Sequence, residues 1–472
     1  MSKKSPVNEI PQNYLEEFEK YLRFPSISTQ KEHTKDLQAC AEWLQEKCRS
    51  IGLEASIYQT PGHPIVLARH GDDPNKRTVL VYGHYDVQPP DPLDLWVTPA
   101  FEPTTRKGKI FARGATDNKG QNFAHLLGTA ELLQQNGELP VNIIYLLEGE
   151  EEIGSSNLPD FLRKNRDLLK SDIAIISDTG MAAHNYPTLA YGLRGVTALE
   201  CKVFGPKQDL HSGLYGGTIA NPLTAAARLI ASLHDETGRV AIKGFYDDVE
   251  PLKDWEREAA KTSPIKDQDF IDQTGVNELF GEPGYTAQER VGSRPTAEVN
   301  GMGGGYQGEG TKTVLPATAQ FKLTFRLVAK QAPEKILDLA EAHLRAHCPP
   351  GVRIELTRGH SGPAYMINPM SPDGLAAQRA LEKTFGKKTC LLREGGSIPI
   401  LQEITDTLGI DCLLLALASP DCNVHSPNEN FPLENFMNGI QLHKNVLKEL
   451  ATVNPYQGDI TPEAIHKNAS TC

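Results

Sequence analysis

A chain of 472 residues is too long for one ordinary core, and 39% hydrophobic with 23% charged residues excludes a chain too polar to fold. The 48 Lys and Arg against 60 Asp and Glu leave a net charge of −12 without a long basic run, so nucleic acid is a poor partner. No stretch approaches the roughly 18 apolar residues of a membrane span. The N-terminal MSKKSPVNEIPQNYLEEF lacks the apolar stretch of a secretory signal. The eight cysteines form no CxxC pair, and Cys472 does not complete a prenylation box. Reduced, structural thiols and a cytoplasmic protein are the expectation.

In chain order, the first 190 or so residues alternate helical patterns with short apolar runs at 78–82, 143–147 and 173–176. Runs of this kind suit strands buried on both faces of a helix-covered sheet. Between the first two, Phe123, Leu126, Leu127, Ala130 and Leu133 fall at helical spacing. From 196 the period changes to alternation, with Thr197, Leu199, Cys201 and Val203 on one side of a half-buried strand. A helix over about 218–234, a short strand near 296–300, an alternating strand at 319–327, a helix at about 333–347 and the alternating 352–357 complete a β-α-β-β-α-β unit, ferredoxin-like in order. The polar, proline-dotted stretch 238–295 reads as an insertion in that unit. After about 370 helical and apolar runs resume. The expected fold class is α/β: a mixed-sheet α/β domain (1–192 and 369–472) interrupted by a ferredoxin-like α+β domain (193–368).

Ligands of open α/β sheets bind beyond the carboxyl ends of the strands, and acidic or imidazole side chains recur at those places. VLVYGHYDV puts His84 and Asp86 just past one strand, two apart on a shared face. RGATDNKGQ puts Asp117 before a helix; IIYLLEGEEEIGS puts Glu150, Glu151 and Glu152 after a strand; IAIISDTG ends on Asp178; NVHSPNEN carries His425. Each has an ordinary explanation: a strand-end histidine, a helix cap, a solvated acidic run, a turn, a loop. Five such ends delivering His, Asp or Glu together are hard to explain that way. Two imidazoles and three carboxylates can hold two divalent cations with one carboxylate shared, and a further glutamate would be the general base for amide hydrolysis. No GxSxG elbow or phosphate loop offers a rival chemistry.

The ordered motifs GHYDV, GATDNKG, EGEEEIGS, SDTG, DLHSGLYGG, FRLV, REGGSIP and NVHSPNE, over about 10–450, resemble the aminoacylase/carnosine-dipeptidase family of dinuclear metallopeptidases, most nearly its cytosolic nonspecific dipeptidase branch. The resemblance implies two ions, zinc or manganese: one on His84 and Asp178, one on Glu152 and His425, bridged by Asp117 ahead of a cis Asp117–Asn118 bond. It implies Glu151 as base, Asp86 steering His84, and Glu150 a bystander. It makes the small domain a lid and homodimer contact, with His211 reaching the partner subunit's site to stabilise an oxyanion. Arg326 would clamp the substrate carboxylate, Thr313 and Ser397 would add hydrogen bonds, and Gly395 and Gly396 would allow close backbone approach. The implied substrate is a dipeptide or similar small amide. N-acyl amino acid deacylation, desuccinylation, carboxypeptidase action and a silent binding role are the alternatives.

Overall fold

A computed structural model describes residues 10–453; the start of the N-terminal stretch and Cys472 lie outside the described residues. The three apolar runs form the strands Thr78–His84, Asn142–Glu148 and Ile173–Ile176, buried almost throughout. They pair in parallel at the centre of a nine-stranded mixed sheet. On one side Ile65–His70 and then Glu54–Tyr58 add antiparallel. On the other, Cys412–Leu415 pairs parallel with Ile173–Ile176, followed by Thr188–Leu193, which also takes Cys390–Glu394 in parallel and Tyr365–Met366 antiparallel. The C-terminal part of the chain therefore completes the sheet begun by the N-terminal part.

The parallel centre needs apolar cover, and helices supply it. Gln12–Leu22, Lys119–Asn136, Pro372–Phe385 and Leu433–Leu450 pack on one another over the sheet. Their seam is aromatic: Phe18 stacks on Phe436 with centroids 4.7 Å apart, and Tyr21 stacks at 5.0 Å on Trp43 of the neighbouring helix Thr34–Ser50. Lys119–Asn136 ends where Gly137 adopts a left-handed φ of 74°, with its amide returning to the Leu133 carbonyl.

Between Leu193 and Gly195 the chain leaves this sheet, and between Gly362 and Tyr365 it returns. The intervening strands run, in spatial order, Thr296–Gly304, Thr318–Leu327, Gly195–Phe204 and Arg353–Gly362, all antiparallel. With the helices Pro222–Ala231 and Pro333–Ala346 they make the expected ferredoxin-like unit. Its separate core holds Leu199, Cys201, Val203, Phe321, Leu323 and Phe325 beneath the two helices. The insertion is not an unstructured loop: it carries the short helices Asp254–Thr262, Asp267–Thr274 and Ala287–Ser293. Val240, Ile242 and Phe245 root it in the small core, whereas Trp255 packs against the large one.

Candidate metal centre

His84 is the last residue of its strand, and its imidazole is buried. Nδ1 donates to the Asp86 backbone carbonyl at 3.1 Å and lies 3.3 Å from the Asp86 carboxylate. In the neutral imidazole that hydrogen bond leaves the lone pair on Nε2, and in the charged form Nε2 donates as well. Nε2 points at Asp117, 3.1 Å from Oδ1, and lies 3.8 Å from Asp178 Oδ2. The other oxygen of Asp117 is 2.9 Å from His425 Nε2, which is itself 3.4 Å from Glu152 Oε2. Asp117 thus stands between the two imidazoles, one to each carboxylate oxygen. Ligand atoms of His84, Asp117 and Glu152 all lie within 4.8 Å of one another.

Asp117 is not a helix cap: the capping position falls to Asn118, with no side-chain capping bond, and the Asp117–Asn118 peptide is cis. Asn118 instead braces two other site residues. Its amide nitrogen donates to Asp178 Oδ1 at 2.9 Å and to the Ser177 carbonyl at 2.6 Å, while its oxygen accepts from the His84 amide at 3.4 Å. Glu151 and Glu152 open a 3-10 turn after the strand Asn142–Glu148. The buried Asp86 carboxylate accepts from both their amides, at 3.2 and 3.1 Å. Asp86 therefore positions the glutamate turn as well as the histidine.

Glu150 is no bystander. Its buried carboxylate accepts from the His63 amide at 2.9 Å and takes both hydrogens of the Asn157 side-chain amide at 3.0 and 2.9 Å, fixing the turn from the side opposite Asp86. The resemblance gives Glu150 no role because it rests on ligand and base positions, not on the carboxylates that hold backbone in place.

The strongest brace is Glu429, which sequence reasoning passed over although NVHSPNEN contains it. It is 0% exposed and accepts from Arg113 Nη1 at 2.8 Å and from the amides of Gly114, Thr116 and Asp117 at 2.9, 2.9 and 3.0 Å. The loop that carries His425 is thereby bolted to the loop that carries Asp117. His425 has a φ of 59°, a region few non-glycine residues occupy. Asn428 pins the same loop by accepting from the Val97 amide at 2.9 Å and donating to the Leu95 carbonyl at 2.8 Å. Gln88 was also missed; it donates to Glu152 Oε2 at 2.8 Å.

Electrostatics fit a cationic occupant. Among the ion pairs of the described residues, none joins Asp117, Glu151, Glu152 or Asp178 to a lysine or arginine. Burial, reinforced by the charge of Asp117, pushes Asp178 up to about 7. Burial also raises Glu151 well above the usual carboxylate range, against the pull of His84. Asp117 would be raised by burial too, but hydrogen bonds from His425 and His84 hold it below its ordinary value. The same contacts with Asp117 and Glu152 lift His425 to about 10. Among the described residues, four carboxylates crowd together with imidazole as their only cationic partner, a donor set suited to borderline divalent ions.

The remaining expected residues fall into two groups. Arg326 Nη1 donates to Ser397 Oγ at 2.8 Å, joining the small sheet to the segment after Cys390–Glu394. His211 and Thr313 lie together on a two-stranded ribbon in which His211 pairs with Val314 and the Ser212 amide donates to the Thr313 carbonyl at 3.0 Å. Both are exposed, and His211 Nδ1 accepts from the Gly213 amide at 3.0 Å. Among the described residues, no hydrogen bond or ion pair connects this ribbon to the cluster around Asp117.

A parallel-centred sheet with imidazoles and carboxylates gathered beyond its strand ends, and a ferredoxin-like domain inserted in it, defines a metallohydrolase architecture. The chain belongs to peptidase family M20/M25/M40, whose model matches residues 80–449. It is similar to the Cys-Gly metallodipeptidase dug1 of Schizosaccharomyces pombe, 35% identical over 86% of this chain and 87% of that one. It is also similar to the human Beta-Ala-His dipeptidase, 31% identical over 83% of this chain and 78% of that one. Among solved structures, the M20 family metallo-carboxypeptidase Sso-CP2 from Sulfolobus solfataricus superposes with a TM-score of 0.82 at 33% identity, covering 94% of this chain and 100% of that one. The expected family and fold class are thus the ones found.

Proposed function

We propose that this chain is a metal-dependent dipeptidase, hydrolysing the peptide bond of dipeptides or similarly small amides. The observation that carries the proposal is the pair of imidazole Nε2 atoms facing the two oxygens of Asp117, with Glu151 and Glu152 on a turn held beside them. His84 and Asp178 would hold one divalent ion, Glu152 and His425 a second, and Asp117 would touch both. Zinc or manganese suits this mixture of imidazole and carboxylate. Two such ions supply Lewis acidity toward the amide carbonyl and toward a water molecule.

The chain's own residues do the rest. Glu151, raised by burial, takes a proton from the attacking water and passes it to the leaving amine. Asp86 keeps His84 and the glutamate turn in register. Arg326, with Ser397 beside it, receives the substrate's terminal carboxylate in a charge-assisted pair, and Thr313 adds a hydrogen bond. The partner subunit's His211 would stabilise the oxyanion, which is why the proposal includes a homodimer through the lid domain. It also includes the division into 1–192, 193–368 and 369–472 and a cytoplasmic location. The names of two relatives, a Cys-Gly and a Beta-Ala-His dipeptidase, support small dipeptides.

The test is a substrate panel on chelated protein with zinc or manganese restored: free dipeptides, N-acetyl and N-succinyl amino acids, and longer peptides. Turnover of free dipeptides that returns with metal is the expected result. Hydrolysis confined to N-acyl amino acids would replace this reading with a deacylase. Trimming of longer peptides alone would favour a carboxypeptidase, the activity named for the Sulfolobus structure. No metal-dependent turnover on any of them would leave a binding protein.

A further inference from the structure

The inserted helices grip one short segment of the catalytic sheet. The Glu256 carboxylate, buried at the foot of Asp254–Thr262, pairs with Arg393 and accepts from the Tyr191 hydroxyl at 3.1 Å. Gln288, on Ala287–Ser293, donates to the Arg393 carbonyl at 3.1 Å. One turn on, Gly292 lies so close that a Cβ there would stand 2.1 Å from the same carbonyl oxygen. These contacts hold both the side chain and the backbone of Arg393.

The residues that follow Arg393 reach the site. The carboxylate of half-buried Glu394 accepts from the Gly180 amide at 2.7 Å, on the loop that carries Asp178. Gly395 packs under the insertion as well, since a Cβ there would lie 2.7 Å from Val291 Cγ1. Ser397 then meets Arg326. Within five residues the chain passes from the insertion's grip to the side chains proposed to receive the substrate carboxylate.

From this geometry we infer that the insertion 238–295 is a positioning device for the carboxylate subsite, with Glu256 and Gly292 its positioning residues, and that it sets the preference for substrates ending in a free carboxylate. The inference rests on the dipeptidase reading and deepens it. Glu256 and Gly292 touch no substrate; they act through Arg393 and the backbone to Ser397. A bidentate Arg contact demands placement within a fraction of an ångström, so a small shift of this segment weakens it.

The experiment compares a dipeptide with its C-terminal amide on the metal-loaded wild type and on Glu256→Gln, Gly292→Ala and Gln288→Ala. In Glu256→Gln and Gly292→Ala, KM for the free acid should rise about tenfold or more, with kcat within about twofold. Turnover of the amide should be unchanged, so that discrimination between acid and amide shrinks. Bound metal per subunit should equal that of the wild type, and Glu256→Asp should recover part of the loss. Gln288→Ala, at a half-buried position, removes one hydrogen bond with little risk to folding and should shift KM in the same direction by less. Wild-type discrimination retained in all three variants overturns the inference while leaving the dipeptidase reading intact. Equal losses on acid and amide, or loss of metal, overturn it too, because they mark general damage. A wild type that hydrolyses no dipeptide removes the reading beneath it.

Discussion

Three carboxylates at the metal centre carry the backbone rather than the reaction, and single substitutions separate these duties. Glu151→Gln keeps the shape of the base but cannot take a proton; metal content should match the wild type while turnover falls at least 10²–10⁴-fold, roughly the worth of a general base. Wild-type turnover by that variant would mean that the base lies elsewhere. Asp86→Asn places an amide where the carboxylate accepts from Glu151 and Glu152 and faces His84. Metal affinity, read by competition with a chelator, should drop about 10–100-fold. Glu429→Gln leaves some of its buried donors, among them the Arg113 guanidinium, without a charged partner. Urea unfolding of the metal-free protein should show a loss of about 3 kcal/mol. An unchanged midpoint would show that Glu429 does not bolt the two loops together.

The helices behind the centre meet along a polar seam. His125, on Lys119–Asn136, and His443, on Leu433–Leu450, face each other with Nδ1 atoms 3.0 Å apart. Their outer nitrogens reach Ser177 Oγ and Thr129 Oγ1, each at 2.8 Å. Gly128 permits the approach, because a Cβ there would stand 2.8 Å from His443 Cβ. Burial holds His125 down to about 4, and burial together with the charge of His125 holds His443 well below its ordinary value. An unfolded chain protonates both imidazoles as pH falls through about 6.5, whereas the folded protein leaves His125 neutral until about 4. The seam's contribution is therefore complete above pH 6.5 and drains as pH falls toward 4, by about 3 kcal/mol for His125. Urea midpoints measured from pH 7.5 to 5 should fall accordingly. His443→Gln, which removes one of the two titrating groups, should flatten that slope; an equal slope would place the acid sensitivity elsewhere.

At the scale of the molecule, the candidate ligands come from five separated stretches of chain, contributed by both halves of the catalytic sheet. Ions bound to the folded state alone must then stabilise the large domain as a whole, by about 4 kcal/mol at a free concentration a thousandfold above Kd. Calorimetry with and without a chelator should show a higher thermal midpoint in zinc or manganese, and identical melts would argue that the cluster holds no ion. The two chain crossings between the domains lie side by side: a Cβ at Gly195 would come within 2.6 Å of the Gly362 carbonyl oxygen. These two crossings and the insertion's grip on Arg393 are the mechanical constraints on any movement of the ferredoxin-like unit against the large sheet.

Periodicity is enough for the central strands of the large sheet, the ferredoxin-like order and the strand ends that carry His, Asp or Glu, because burial on one or both faces writes itself into adjacent residues. Thr78–His84, Asn142–Glu148 and Ile173–Ile176 are legible for that reason. The candidate ligands stand out for a related reason, since imidazoles and carboxylates at successive strand ends are costly without a shared purpose; their separate roles come from the resemblance. The insertion's helices and the bracing roles of Glu150, Glu429, Asn118 and Gln88 were not legible. Their partners lie on other elements, as Glu429 does with the loop around Asp117, more than 300 positions away. Nothing in a local pattern distinguishes a carboxylate that will bind buried amides from one that will face water; only the packed chain, by removing the water, decides which it becomes.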